Sequence, residues 1–182
     1  MNKQILITLF LTLFILIATK PVESATFVAG NSASLNKEFS LNSNYRDIKI
    51  ATVKSVLTKY NSDLTDQSPH FVDAAYKYDL DPYLLVSISG LESYFGRFMI
   101  PGTHNGFGWG SGTIYFDNWQ DSIYTISQKL RTNYYDKGAV TVDDVGRKYA
   151  ESKTWSVRVK YFMTVFKQEE NKIKNSYNII NI

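Results

Sequence analysis

The sequence predicts a mainly helical domain that carries one small, glycine-rich β-hairpin lobe. Three observations predict it. Apolar residues recur at three- and four-residue spacing through most of residues 45–169, the period of helices with one buried face. Helix-start and helix-stop residues punctuate that pattern: Ser68-Pro69, Asp81-Pro82, Gly138 and Thr154. One stretch, residues 101–116, leaves the period and is crowded with Gly102, Gly106, Gly108, Gly110 and Gly112.

Residues 1–24 read as a signal peptide. Lys3 gives a positive start, Ile5–Ala18 is an apolar run interrupted by Thr8 and Thr12, and the residues up to Ser24 suit a peptidase site. The run is about 14 residues, short for a membrane span. An uncleaved anchor is the other reading, and both export the chain. Cleavage after Ser24 is the expectation, and with it a secreted or cell-wall-associated protein with no stable membrane insertion. Residues 25–43 are rich in Ser, Asn and Ala without a period and read as a flexible leader. The domain is placed at residues 44–175, with a polar tail at 176–182 and fraying expected after Glu169.

Within the domain, Ile48, Val53, Val56, Leu57 and Tyr60 share one face of a first helix. Ser68 is expected to cap a second, with Pro69 in its first turn and Phe71, Ala74, Ala75 and Tyr78 inward. Asp81-Pro82 opens a third, whose stripe Leu84, Ile88, Leu91, Phe95 ends at Gly96. Thr113–Phe116 reads as a short strand, with Ser111-Gly112 as a hairpin turn. Asp117 is expected to cap a fourth helix, which buries Ile123, Ile126 and Leu130 and stops at Gly138. Thr141–Ala150 reads as a short fifth helix. Thr154 caps a long last one, with Trp155, Val159, Phe162 and Phe166 inside.

Composition narrows the chemistry. The 182 residues, 44% hydrophobic and 20% charged, suit one ordinary globular domain. The chain has no cysteine, which removes disulfides, thiol nucleophiles and thiolate metal sites. Its two histidines, His70 and His104, lie far apart, which argues against a Ser-His-Asp triad or a multi-His metal centre. Nothing has zinc or calcium spacing, and no cofactor or metal is expected. Without Lys3, Lys20 and Glu23 the 20 basic and 17 acidic residues fall to 18 and 16, a net charge of about +2. That balance suits an anionic wall surface and is too weak to point to nucleic acid. The sequence does not set the oligomeric state, and a monomer is assumed; the lack of a repeat or coiled coil speaks against a structural protein.

Glu92 stands out. It falls beside Ile88, on the margin of the third helix's apolar stripe, and near the negative end of that helix. Partial desolvation and the helix dipole would both favour its protonated form. A protonated carboxyl is what cleavage of a glycosidic bond requires, because it gives a proton to the leaving oxygen. Ser93-Tyr94-Phe95-Gly96 follows at once, and then Asn105-Gly106-Phe107-Gly108-Trp109. Small residues let a substrate approach the backbone, and exposed aromatic rings stack on sugar faces.

These residues resemble the bacterial glucosaminidase family of autolysins, the mannosyl-glycoprotein endo-β-N-acetylglucosaminidase-like domains. Glu92–Gly96 is similar to the family's E-S-x-aromatic-G motif, and Asn105-Gly106-Phe107-Gly108 to its N-x-F-G element. Tyr115–Ile123 resembles its F-x-x-Y-D-S-W-x-x-S-I stretch with an altered start, and Tyr149-Ala150 its Tyr-Ala before the last helix. In order and spacing the four cover roughly residues 60–167. The resemblance implies an α+β, lysozyme-like fold, peptidoglycan glycan strands as substrate, Glu92 as general acid and Tyr149 as the active-site tyrosine. The small and aromatic residues beside Glu92, with their polar neighbours, give Ser93, Asn105, Phe107, Gly108 and Trp109 as the expected substrate-binding set.

The chain departs from the family in having no Asp or Glu between Gly108 and Phe116, where many members carry a second acid. Lytic transglycosylases are implied as the alternative, since they share the fold and use one glutamate. Tyr76–Leu85 resembles their Y-x-L-D-P-x-L-L lead-in. A wall-binding protein that keeps the cleft without cleaving is the reading from another class. The remaining candidates read as structural: Asp117 and Asp121 as helix-start acids, Trp119 and Trp155 as core, Asp143-Asp144 as helix-start charge, and His104 as an exposed loop residue.

Overall fold

A computed structural model of the chain describes residues 30–150 and 152–180, with side chains over 44–150 and 152–176. The expected signal peptide at 1–24 lies outside the described residues. The chain divides into two units, Met1–Glu38 and Phe39–Ile182. The described part of the first is helical from Gly30, so a helix begins inside the stretch read as leader. The second unit holds the core.

Six α-helices are described: α1 (Gly30–Lys59), α2 (Ser68–Lys77), α3 (Leu84–Ser93), α4 (Trp119–Asn133), α5 (Val142–Tyr149) and α6 (Trp155–Ile180). The domain is thus mainly helical, as its periodicity predicts. Among the described residues no helix is long and apolar enough to cross a membrane.

α3 is the central element. Leu84 through Gly90 are all buried, because α3 packs on α6 at one side and meets α2 at another. α2 lies along α4, and α5 along α6. Phe71, Leu84, Ile88, Ile123, Ile126, Leu130 and Phe166 fill the space between them with no exposed surface to speak of. Gly90 lets the helices close: a Cβ there would stand 2.7 Å from the Phe95 ring and 3.2 Å from Phe162.

Several helix ends differ from expectation by a residue. Gln67, not Ser68, is the N-cap of α2; Ser68 already lies in the helix, where its hydroxyl donates to Thr65 O (2.6 Å). Asn118, not Asp117, caps α4, accepting from Asp121 N at 2.9 Å. Asn118 is a short polar acceptor that reaches the orphan amide Asp117 was expected to serve, whereas Gln67 caps α2 without a side-chain hydrogen bond. Asp81 works three residues ahead of α3 by accepting from Tyr83 N (2.8 Å). Thr141 and Asp144 form a reciprocal capping box on α5.

The expected strand Thr113–Phe116 is not formed, and no strand occurs among the described residues. Residues 94–118 are turns and irregular chain. Left-handed backbone at Gly102, His104, Gly108, Gly110, Ser111 and Gly112 reverses the chain too often for a ladder to build. A side chain organises the loop instead. Asn105 is buried, its Nδ2 donates to Trp109 O (2.8 Å) and Ile114 O (3.1 Å), and its Oδ1 accepts from Trp109 N (3.1 Å). His104 is half-buried by the same loop, edge-on to Trp119, where an exposed position is expected.

The fraying expected after Glu169 is also absent, since α6 continues to Ile180. Glu169 and Glu170 are buried between α1 and α6. Lys49 and Lys174 reach Glu170 at 2.7 and 2.6 Å, and Tyr83 donates to it at 2.9 Å. Ser55 and Lys59 reach Glu169 at 2.6 and 2.5 Å. A polar run that looks like a solvated tail is thus the seam holding the two longest helices together.

Candidate functional site

Glu92 sits in the last turn of α3. Its residue is exposed, at the mouth of a cleft, rather than half-desolvated on the stripe margin. Its position is nevertheless constrained from two directions. Trp155 Nε1, at the start of α6, donates to Oε1 at 2.8 Å. Gly108 lies under the other oxygen: a Cβ on Gly108 would stand 2.8 Å from Oε2 and 3.1 Å from Cδ. With φ of +67°, Gly108 is in a conformation that suits glycine, and any larger residue there would push the Glu92 carboxylate from its place.

The loop is brought to Glu92 by a short circuit of contacts. Ser93, buried beside the acid, donates to Gly106 O (2.6 Å), has Ser89 O as a second acceptor at 3.1 Å, and accepts from Gly96 N (2.8 Å). That one hydroxyl pins the loop to the end of α3. Phe107 is buried completely, its ring edge-on to Phe71 at 6.1 Å. Its carbonyl accepts from the Tyr149 hydroxyl at 2.7 Å. Tyr149 closes the circuit by stacking on Trp155, ring centroids 4.8 Å apart and 27° from parallel.

Tyr149 is half-buried as a residue with its hydroxyl enclosed. Burial, then the negative charge of Glu92, then Tyr134 raise its pKa well above the usual phenol value. It is therefore a neutral donor beside the acid, and its proton is committed to the loop carbonyl.

Two clefts flank the loop and meet at Gly108 and Ser111. One, of about 380 Å³, is lined by Glu92, Ser93 and Asn105 together with Phe98, Met99 and Ile100. The second, of about 290 Å³, is walled by Trp109, Tyr134 and Tyr149. Among the described residues lining either cleft, Glu92 is the one carboxylate. Asp117 and Asp121 are exposed at the start of α4 and line neither. No group of three or more His, Asp or Glu among the described residues could hold a metal ion.

The structure therefore gathers all seven residues singled out in the sequence, but in different capacities. Glu92, Gly108 and Trp109 face the clefts. Ser93 and Asn105 touch a cleft wall while their polar groups hold the loop. Phe107 contributes its carbonyl from the core, and its ring is not a cleft surface. Tyr149 presents a ring to the second cleft. Trp155, which looks like plain core in the sequence, is the residue that fixes the acid. Its signal is generic: an indole N–H seeks a partner when buried. No family model and no curated protein matches the chain.

Proposed function

We propose that the protein is an exported glycosidase that cuts the glycan strand of peptidoglycan, of the endo-β-N-acetylglucosaminidase type and lysozyme-like in fold, with Glu92 as general acid. One observation carries the reading. A single carboxyl lines one of two clefts that meet at Gly108, with one oxygen tethered to Trp155 Nε1 and the other over the side of Gly108 where a Cβ would stand. That arrangement supports proton transfer to the oxygen of a bond lying across the loop, because position and orientation are set before substrate arrives. The resemblance of Glu92–Gly96, Asn105–Gly108, Tyr115–Ile123 and Tyr149-Ala150 to the glucosaminidase motifs supplies the substrate class. Tyr149 acts through the loop: its bond to Phe107 O keeps Gly108 beneath the acid, and its neutral ring adds an apolar wall near the developing oxocarbenium centre.

A second reading has its own observation. With Glu92 the one carboxylate lining the clefts among the described residues, a mechanism with a single glutamate fits the geometry. In lytic transglycosylase chemistry Glu92 would protonate the leaving oxygen, then take the proton of the sugar's own hydroxyl as that hydroxyl closes an anhydro ring. A non-catalytic wall-binding protein remains the reading from another class.

Mass spectrometry of soluble products released from purified peptidoglycan separates the three. Reducing-end N-acetylglucosamine products support the hydrolase, and anhydro-muramyl ends support the transglycosylase. Retained binding with no released glycan would reduce the protein to a binding module.

A further inference from the structure

α3 ends in an unusual way. Tyr94, Phe95 and Gly96 are all left-handed, with φ of +52°, +60° and +82°. Two consecutive non-glycine residues in that region are strained, and such strain collects where a chain must be aimed. Here it sends neighbouring rings in opposite directions. Phe95 is completely buried, while Tyr94 emerges 41% exposed and Phe98, a few residues on, 73% exposed. Phe98 N donates to Ser93 O at 2.8 Å, which holds the exposed ring next to the acid's helix turn.

The exposed rings form a ledge with a cation on it. Tyr94 and Phe98 are 5.9 Å apart, and the Arg97 guanidinium lies 5.8 Å from the first ring and 6.0 Å from the second. Arg97 Nη1 makes a long hydrogen bond to Tyr60 O (3.4 Å), and no described carboxylate pairs with it. The ledge runs into the cleft of Glu92, where Phe98 is itself a wall. Two exposed, tilted rings, with a guanidinium over them that no described carboxylate pairs with, suit a sugar ring that carries a carboxylate.

We infer that Tyr94, Arg97 and Phe98 form a specificity subsite that stacks one sugar of the strand on Phe98 and takes the carboxylate of that sugar's peptide branch on Arg97. The inference rests on the glycan reading above and extends it: the cleft selects strands that still carry acidic peptides over bare ones.

Binding titrations on the Glu92→Gln protein, which keeps an oxygen for Trp155 and is not expected to turn substrate over, test this. The probes are a neutral β-1,4-linked N-acetylglucosamine oligomer and a peptidoglycan fragment of equal length bearing its carboxylate-ended peptides. Phe98→Ala should weaken both probes about five- to tenfold, the range expected for one stacked ring. Arg97→Gln should weaken the acidic probe by a similar factor and leave the neutral one unchanged. Tyr45→Ala is the control: Tyr45 is exposed beneath Lys174, about 28 Å along α6 from Trp155. Circular dichroism checks that each variant folds. Parent-like binding of both probes by both ledge variants would overturn the subsite, and equal losses on both probes with Arg97→Gln would overturn the assignment of the acidic branch. A parent that binds neither probe would overturn the subsite and the glycan reading together. Ledge-dependent binding alongside a wild type that releases no glycan would leave the subsite standing and remove only the enzyme.

Discussion

At the scale of single residues, the acid is only as well placed as the two groups that confine it. A buried indole N–H must find an acceptor, and for Trp155 that acceptor is Glu92 Oε1. Trp155→Phe keeps most of the packing and removes the donor. It should lower kcat on peptidoglycan about tenfold or more, with a stability loss of roughly 1–2 kcal/mol visible in urea unfolding. Gly108→Ala acts from the other side: its new methyl must displace Oε2, and its backbone is left-handed. The expected result is a stability loss of about 1 kcal/mol and a larger proportional loss of cleavage, read by comparing thermal midpoints with initial rates. Glu92 itself is legible in the sequence because an acid at the end of an apolar stripe breaks a local pattern. Trp155 is not, because its partner lies 63 residues away and its spacing matches core.

At the scale of elements, α1 and α6 are joined by charged and polar side-chain pairs. Glu170 is buried, which alone would raise its pKa; hydrogen bonds from Lys174, Lys49 and Tyr83 outweigh burial and hold it down to about 2. A pKa lowered on folding means stability that is present above the unfolded value and lost as pH falls through the folded one. Urea midpoints should therefore drop between about pH 4.5 and about pH 2, by an amount worth on the order of 2 kcal/mol from this group. Glu170→Gln should be less stable than wild type at pH 7, since it leaves two lysines without their charge partner, and the gap should close toward pH 2. A gap that stayed constant with pH would mean the pair is not what ties the helices. Helices were readable as elements because their period and punctuation are local. Thr113–Phe116 carries β-propensity for the same local reason, but a ladder needs a partner, and the left-handed, glycine-rich chain before it denies it one.

At the scale of the whole molecule, the site depends on three segments distant in sequence meeting at one point: the end of α3, the Gly-rich loop, and the junction of α5 with α6. Ser93, Asn105 and Tyr149 each spend a polar group on holding the loop, so the loop behaves as a fixed floor to the clefts. Their gathering could be anticipated from their order along the chain. Their roles could not, because only geometry separates a residue that faces a cleft from one that builds it.

The most direct measurement is the rate of soluble glycan release from purified peptidoglycan by the wild-type protein and by Glu92→Gln, with binding to the insoluble wall measured in parallel. The account predicts steady release by the wild type, release reduced about a thousandfold or more in the variant, and equal binding by both. Equal release by the two proteins would contradict Glu92 as the acid, and binding without release by either would contradict catalysis itself.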